Sequence, residues 1–144
     1  MPARARRLEA VPAAVTRLAA ERGVPAEPNL AGLLHLVALG AGDAADRALA
    51  CRLAVEELAR RRPGRSVELR VPPYAAAQLG SGREPGPGAG PRHTRGTPPA
   101  VVECDPATFV ALATGQVTYA EAVASRRLTA TGAHSDLGDL FPLW

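Results

Sequence analysis

Hydrophobic and polar positions follow two different periods along this chain. In residues 66–71 they alternate strictly, which is typical of a half-buried strand with Val67, Leu69 and Val71 toward the core. In residues 43–62 the apolar positions recur every three or four residues, which predicts an amphipathic helix. The chain therefore combines helices and strands.

Two further helices are predicted before residue 43. The apolar residues between positions 11 and 18 recur at helical spacing, and Pro12 suits the first turn of such a helix. Residues 1–10 are rich in arginine and are expected to be frayed. Asn29 is a favourable N-cap for a second helix over residues 30–39, whose apolar side chains on nearly all sides indicate burial.

The signals agree most closely with one another in the C-terminal third. Asp-Pro at residues 105–106 predicts an N-cap and first helical position, and Gly115 ends that helix. Thr118 and Glu121 have the spacing of a capping box, which begins another short helix. In that helix Val123 is expected to pack inward.

Short strands and a loop complete the predicted elements. The Gly/Pro-rich residues 80–91 cannot bury apolar surface, so we expect a mobile surface loop there. Residues 136–140 are predicted to form a helical turn. The predicted strands are residues 66–71, 74–79, 92–95, 100–103 and 128–131.

Charge on the predicted helix at residues 43–62 has two interpretations. Glu56 with Arg60, and Glu57 with Arg61, are spaced for i,i+4 ion pairs. The run of three arginines at residues 60–62 suits the negative end of a helix dipole. The alternative is a patch for nucleic acid or acidic lipid, but the stacking aromatic residues that usually accompany a nucleic-acid surface are missing nearby.

Composition narrows the class of protein. With 144 residues the chain forms one domain, divided here into an N-terminal helical extension (residues 1–42) and a main domain (residues 43–144). Hydrophobic residues are 47% but aromatic residues only 3%, so the core must consist of Leu, Val and Ala. The 17 basic residues are all arginine, which indicates GC-rich coding, and a net charge of +3 does not indicate a nucleic-acid partner. The chain shows no signal peptide and no membrane-spanning run, so a cytoplasmic location is expected.

The sulfur and imidazole groups do not form a recognisable site. Cys51 and Cys104 are far apart, and neither they nor His35, His93 and His134 show metal-ligand spacing. We therefore expect no metal and no cofactor. His93 and Cys104 could be imagined as a thiol–imidazole pair, but a third group to orient them is missing, and the protein is not expected to be an enzyme.

Two stretches resemble a known family. Residues 105–132, DPATFVALATGQVTYAEAVASRRLTATG, resemble the C-terminal half of the sterol carrier protein 2 domain. Residues 63–73, PGRSVELRVPP, followed by residues 92–103, RHTRGTPPAVVE, are similar to the bacterial, actinobacterial-type branch of that family. The resemblance covers residues 43–144. The long loop at residues 80–91 and the N-terminal helices depart from the family pattern.

The resemblance implies a fold and a ligand class. The fold is α/β (α+β), a curved and largely antiparallel sheet of about five strands covered on one side by helices. Relatives enclose an apolar tunnel between sheet and helices that takes acyl chains, sterols or fatty acyl-CoA. The partner implied for this chain is therefore a hydrophobic small molecule.

Two sets of residues are candidates for such a site. Arg92, His93, Arg95 and Thr97 could hold a phosphate or carboxylate head group, or they could be a solvated strand edge. A second set could line an apolar pocket, with the C-terminal segment as its lid, or could simply fill the core. This second set consists of Phe109, Leu112, Val123, Leu128, Leu140, Phe141, Leu143 and Trp144.

Three functions follow from these candidates. The first is non-enzymatic binding or transfer of a hydrophobic ligand in an apolar pocket between sheet and helices. The second is a protein–protein interaction module with a filled core and no ligand, whose partner the sequence does not name. The third is an enzyme that uses His93 or Cys104.

Overall fold

The architecture is given by a computed structural model, which describes residues 2–82 and 100–144. A short 3₁₀ turn at Gly138–Leu140 follows the last strand. The helices and strands in chain order are α1 (Ala3–Arg22), α2 (Leu30–Ala38), α3 (Ala44–Arg61), β1 (Val67–Val71), β2 (Ala75–Leu79), β3 (Ala100–Cys104), α4 (Pro106–Ala113), α5 (Tyr119–Ala124) and β4 (Leu128–Thr131).

Within the described residues, four strands form one sheet in the order β2–β1–β3–β4. β1 pairs with β2, and β3 with β4, in antiparallel orientation, whereas the central pair of β1 and β3 is parallel. The largely antiparallel sheet is therefore confirmed, with one parallel pairing at its centre. The further strand predicted at residues 92–95 lies outside the described residues.

The predicted alternation holds along β1. Val67, Leu69 and Val71 are buried, while the side chains between them point away from the core. Leu69 lies in register with Ala77 of β2 and Val102 of β3, so a row of apolar side chains crosses the sheet on one face. This face is the floor on which the helices pack.

The helices lie on that one face of the sheet. α3 packs against β2, α1 and α2 pack on α3, and α4 packs against α2 and α3. One continuous cluster of buried side chains joins the helices to the sheet, and leucine dominates its large members, as the composition predicts. On the opposite face, Arg70 and Gln78 are exposed.

Helix α1 begins earlier than its sequence predicts. The expectation of fraying is wrong from Ala3 onward, and Pro12 lies inside the helix rather than in its first turn, because α1 spans Ala3–Arg22. An interior proline costs roughly 3 kcal/mol, so other contacts must compensate. Burial of the apolar face of α1 provides most of this compensation. Arg4 and Arg7 add ion pairs with Glu56 of α3, a partner that a local pattern does not show.

The predicted cap of α2 is confirmed, and the structure shows a cap for α3 as well. The Asn29 side chain accepts a hydrogen bond from the Gly32 N–H at 3.0 Å. Asp43 and Asp46 cap α3 reciprocally, each carboxylate accepting from the other residue's N–H at 3.1 and 3.0 Å. Arg17 of α1 pairs with Asp46 at 2.6 Å, which ties α1 to the beginning of α3.

One of the two predicted ion pairs on α3 is present. Glu57 and Arg61 lie 3.6 Å apart, and Arg60 also pairs with Glu57. Glu56 instead contacts Arg7 of α1. The difference arises because α1 covers this face of α3, which the sequence alone does not reveal.

The loop expected at residues 80–91 is only partly described. Gly80 is buried, and its N–H donates to the Arg62 carbonyl at 2.8 Å. The beginning of this stretch is therefore packed structure rather than mobile surface. Residues 83–91 lie outside the described residues.

Candidate functional site

Helix α4 is bounded by the signals that predict it. The Asp105 carboxylate accepts a hydrogen bond from the Thr108 N–H at 2.7 Å, and Pro106 occupies the first helical position. After the helix, Gly115 adopts φ of +79°, a left-handed conformation that glycine reaches without a steric penalty. The chain thereby turns sharply toward α5.

Helix α5 has one buried face and one exposed face. The Thr118 hydroxyl accepts from the Glu121 N–H at 3.1 Å, as the predicted cap requires. Ala122 is fully buried, but Val123 is 41% exposed, so the expectation that Val123 packs inward is wrong. Because α5 is short, it contacts β4 along only one narrow stripe. Val123 lies beside that stripe and faces a cleft.

A cleft of about 900 Å³ lies between α5, β4 and the C-terminal tail, which we define as residues 135–144. Most of its lining is apolar, with a few polar groups beside it. The apolar lining residues are Val117, Ala120, Val123, Ala124, Ala130, Phe141 and Pro142. The polar lining residues with side-chain hydroxyl or carboxylate groups are Thr118, Tyr119, Ser135 and Asp136.

Aromatic packing holds the tail against this cleft. The Phe141 ring meets Phe109 edge-on at 6.1 Å between centroids, and stacks on Tyr119 at 6.3 Å. Leu143 is 4% exposed, and its N–H donates to the Ala113 carbonyl at 3.0 Å. Phe141 and Leu143 thus anchor the tail on both sides of Pro142, which lines the cleft.

Two of the three arginines at residues 60–62 also bind the tail. Arg61 donates to the Leu143 carbonyl at 2.7 Å and lies over the Trp144 ring at 5.2 Å. Arg62 pairs with Asp139. These contacts give the arginines at the end of α3 a structural role.

The ionisable groups of the cleft are few. The Tyr119 hydroxyl donates to the Ser135 carbonyl at 2.7 Å, and burial raises the pKa of Tyr119 to about 12. Tyr119 is therefore neutral at physiological pH. The Asp136 carboxylate accepts from the Gly138 N–H at 2.8 Å and remains exposed. The arrangement can hold an apolar body beside hydroxyl and carboxylate oxygens.

The predicted pocket residues occupy three different environments. Val123 and Phe141 line the cleft. Leu140 is half-buried and Trp144 is 58% exposed at the end of the tail. The others are buried in the core, namely Phe109, Leu112, Leu128 and Leu143. The predicted head-group residues Arg92, His93, Arg95 and Thr97 lie outside the described residues.

Several lining residues were not predicted from sequence. Ala130 could have been found, since the alternation along β4 places it on the same face as the buried Leu128. Tyr119 is one of only two tyrosines, and it follows the cap at Thr118. No local sequence pattern identifies Ser135 as a lining residue, because it comes close to α5 only when the tail folds against that helix.

The thiol proposed for catalysis is not activated. Cys104 is 5% exposed, and burial raises the pKa of its thiol to about 12, the opposite of a reactive cysteine. Its suggested partner His93 lies outside the described residues. Across residues 2–82 and 100–144, no group of three His, Cys, Asp or Glu side chains is placed to hold a metal ion.

The described part of the chain contains no helix long and apolar enough to cross a membrane. Residues 43–143 match a protein family whose description is bacterial SCP ortholog. No curated protein matches the chain.

Proposed function

The chain belongs to the bacterial SCP ortholog family of sterol carrier protein-like domains, and on this premise we propose that it binds or transfers a hydrophobic ligand without catalysing a reaction. The ligand class is a lipid, a sterol or a fatty acyl group. The proposed site is the cleft between α5, β4 and the tail. An apolar pocket beneath α4 is not favoured, because Phe109 and Leu112 already fill that space and are fully buried.

The cleft's size and lining carry this proposal. Its volume of about 900 Å³ lies within the range of small-molecule sites, roughly 300–1,000 Å³. Val123 leaves an apolar side chain exposed on its wall, and a bound chain would remove that surface from water. Each methylene group buried there contributes about 0.8 kcal/mol, so a medium-length chain suffices for measurable affinity.

The polar rim suggests how such a ligand is oriented. Thr118, Ser135 and Asp136 lie along the cleft and can accept or donate hydrogen bonds to a hydroxyl end, while the apolar end packs on Val123 and Phe141. This division matches the usual small-molecule site, in which a few polar groups fix the orientation of a mostly apolar ligand.

A head-group role for Arg92, His93, Arg95 and Thr97 remains a separate proposal. Arginine guanidinium groups would bind a phosphate or carboxylate by charge-assisted hydrogen bonds. Exchanging Arg92 and Arg95 together for glutamine should then weaken binding of a fatty acid but not of the matching fatty alcohol. Equal loss for both ligands would contradict this role.

Displacement of a fluorescent acyl-chain probe tests the proposed cleft. Val123→Asp places a charge on the cleft wall and should weaken probe binding at least about ten-fold, since a carboxylate there opposes burial of a chain. Leu8→Asp is the matched control, because Leu8 is 38% exposed on α1, away from the cleft. Circular dichroism checks that both variants fold. Equal affinity in the two variants would contradict the cleft as the site.

An interaction module without a ligand is the second candidate. The filled core beneath α4 and the 58% exposed Trp144 favour it, since exposed aromatic residues are common in interfaces. Native mass spectrometry separates the two functions. Added mass from a bound lipid, with saturable probe displacement, supports the carrier; ligand-free protein with no displacement supports the module.

A further inference from the structure

One carboxylate gives the cleft of the proposed function a charge of its own. Asp136 is the only charged side chain among the described residues that line this cleft, and it is exposed to water. The rest of the described lining is apolar or carries hydroxyl groups. A ligand that buries its chain in the cleft therefore meets a negative charge where the lining reaches water.

Local contacts hold Asp136 beside the aromatic wall of the cleft. Its Oδ1 accepts a hydrogen bond from the Gly138 N–H at 2.8 Å. Gly138 fits closely between its neighbours, because a Cβ added there would lie 3.0 Å from Asp136 Oδ1 and 3.5 Å from the Tyr119 Cβ. The charge of Asp136 also adds to the rise in the pKa of Tyr119, which burial chiefly causes. The carboxylate and Tyr119 are therefore close neighbours.

No ion pair within the described residues neutralises this carboxylate. Across residues 2–82 and 100–144, no arginine or histidine nitrogen lies within 4.0 Å of the Asp136 oxygens. Arg62, which contacts the tail nearby, pairs with Asp139 instead. The charge of Asp136 is thus directed to the solvent and to the cleft.

A cationic polar end suits this lining better than a neutral or an anionic one. Asp136 attracts an ammonium group, and aromatic rings such as those of Tyr119 and Phe141 also favour a cation. The same carboxylate repels a carboxylate or phosphate end. A hydroxyl end can bond to the oxygens of Thr118 and Ser135, but an ammonium group donates to the same oxygens and also gains the charge interaction.

We propose that the cleft prefers an amphiphile with an apolar chain and an ammonium end, and that Asp136 binds that end. This inference rests on the proposed function, since it requires a ligand in the cleft. The chain packs on Val123 and Phe141, while the ammonium group stays beside the exposed carboxylate and keeps part of its hydration. Because the ion pair is exposed, the preference over an alcohol is only a few-fold.

Matched ligands test this preference in the full chain. Decylamine, decanol and decanoate share one apolar chain and differ in the charge of the polar end, and each displaces the fluorescent acyl-chain probe below its micelle concentration. We expect decylamine to bind about three-fold more tightly than decanol, and decanoate about three-fold more weakly. Added salt should bring the three affinities together, because it screens the charge of Asp136.

Matched protein variants assign the preference to Asp136. Asp136→Asn removes the charge but keeps an oxygen that can accept the Gly138 N–H, so the ratio of decylamine to decanol affinity should fall to about one. Glu121→Gln is the control, because Glu121 is exposed on α5 but does not line the cleft, and it should leave that ratio at about three. Circular dichroism checks that both variants fold.

The possible failures of this experiment are distinguishable. Saturable binding of decanol with no preference for decylamine would overturn the inference and leave the proposed function standing. Tightest binding of decanoate would overturn it in favour of a cationic head-group site. An unchanged ratio in Asp136→Asn would show that Asp136 does not bind the ammonium end. If none of the three ligands displaces the probe, the inference and the proposed function both fail.

Discussion

Tyr119 connects the parts of the cleft wall. Its ring stacks on Phe141 of the tail, and its hydroxyl donates to the Ser135 carbonyl. Burial raises its pKa from 10.0 to about 12 because the charged phenolate is disfavoured there. In the sequence, Tyr119 is recognisable only as the residue that follows the N-cap Thr118, because the groups that it contacts belong to the tail.

The Tyr119 hydroxyl should be measurable as a pH-dependent contribution to stability. Because its pKa is raised on folding, this contribution is complete below pH 10 and is lost as the pH rises toward about 12. Tyr119→Phe should lower the free energy of unfolding by about 1 kcal/mol at pH 7, through the lost hydrogen bond.

Urea denaturation between pH 7 and pH 12 provides the measurement. The variant should lose stability less steeply than the wild type above pH 10, although Cys51 and Cys104 also have raised pKa values and contribute to the fall in both proteins. Parallel curves for the two proteins would contradict the assignment to Tyr119.

At the scale of elements, local signals predicted helix ends well and helix neighbours poorly. Caps at Asn29, Asp105 and Thr118 act within one turn, so the sequence contains the whole interaction. Gly132 follows β4 with φ of +91°, and an added Cβ there would lie 2.9 Å from the Ala100 Cα. The beginning of α1 depends on Glu56 of another helix, which no local pattern reports.

The tail should behave as an anchored element. Leu143→Ala should lower the free energy of unfolding by about 2–3 kcal/mol, because Leu143 is buried between its neighbours. Trp144→Ala is the control and should cost less than about 1 kcal/mol, since the ring is 58% exposed and its contact is with Arg61. Thermal or urea unfolding of both variants gives the comparison. Equal effects would show that the tail does not pack as described.

At the scale of the molecule, the helices before residue 43 belong to the same core as the sheet. The family match begins at residue 43, yet Leu18 of α1 and Leu33 and Leu34 of α2 are at most 1% exposed within the common cluster. The division into residues 1–42 and 43–144 follows the start of the family match. That the two parts fold independently does not follow from it, since they share one core.

Removing residues 1–42 tests that division. We expect residues 43–144 alone to lose cooperative unfolding, because the faces of α3 and α4 that α1 and α2 cover would be exposed to water. Calorimetry and the dispersion of amide signals in NMR spectra would reveal this. A sharp transition like that of the full chain would instead show that residues 43–144 are a domain on their own.

The class of fold was predictable from the sequence, whereas the position of the cleft was not. Period-two strands, capped helices and the resemblance together predicted helices on one side of a largely antiparallel sheet. Leu112 and Leu128 looked equally suitable for a pocket or a core, because hydrophobicity alone does not report empty volume; both are buried in the core. The space lies instead where α5, β4 and the tail meet.

An NMR titration of the labelled full chain with a medium-chain fatty alcohol tests the central claim most directly. Amide shifts should move saturably and cluster at Val117–Ala124, at β4 and at the tail, since these segments surround the cleft. The amides of α1 should not move. No saturable shift, or shifts centred on residues away from the cleft, would contradict the account.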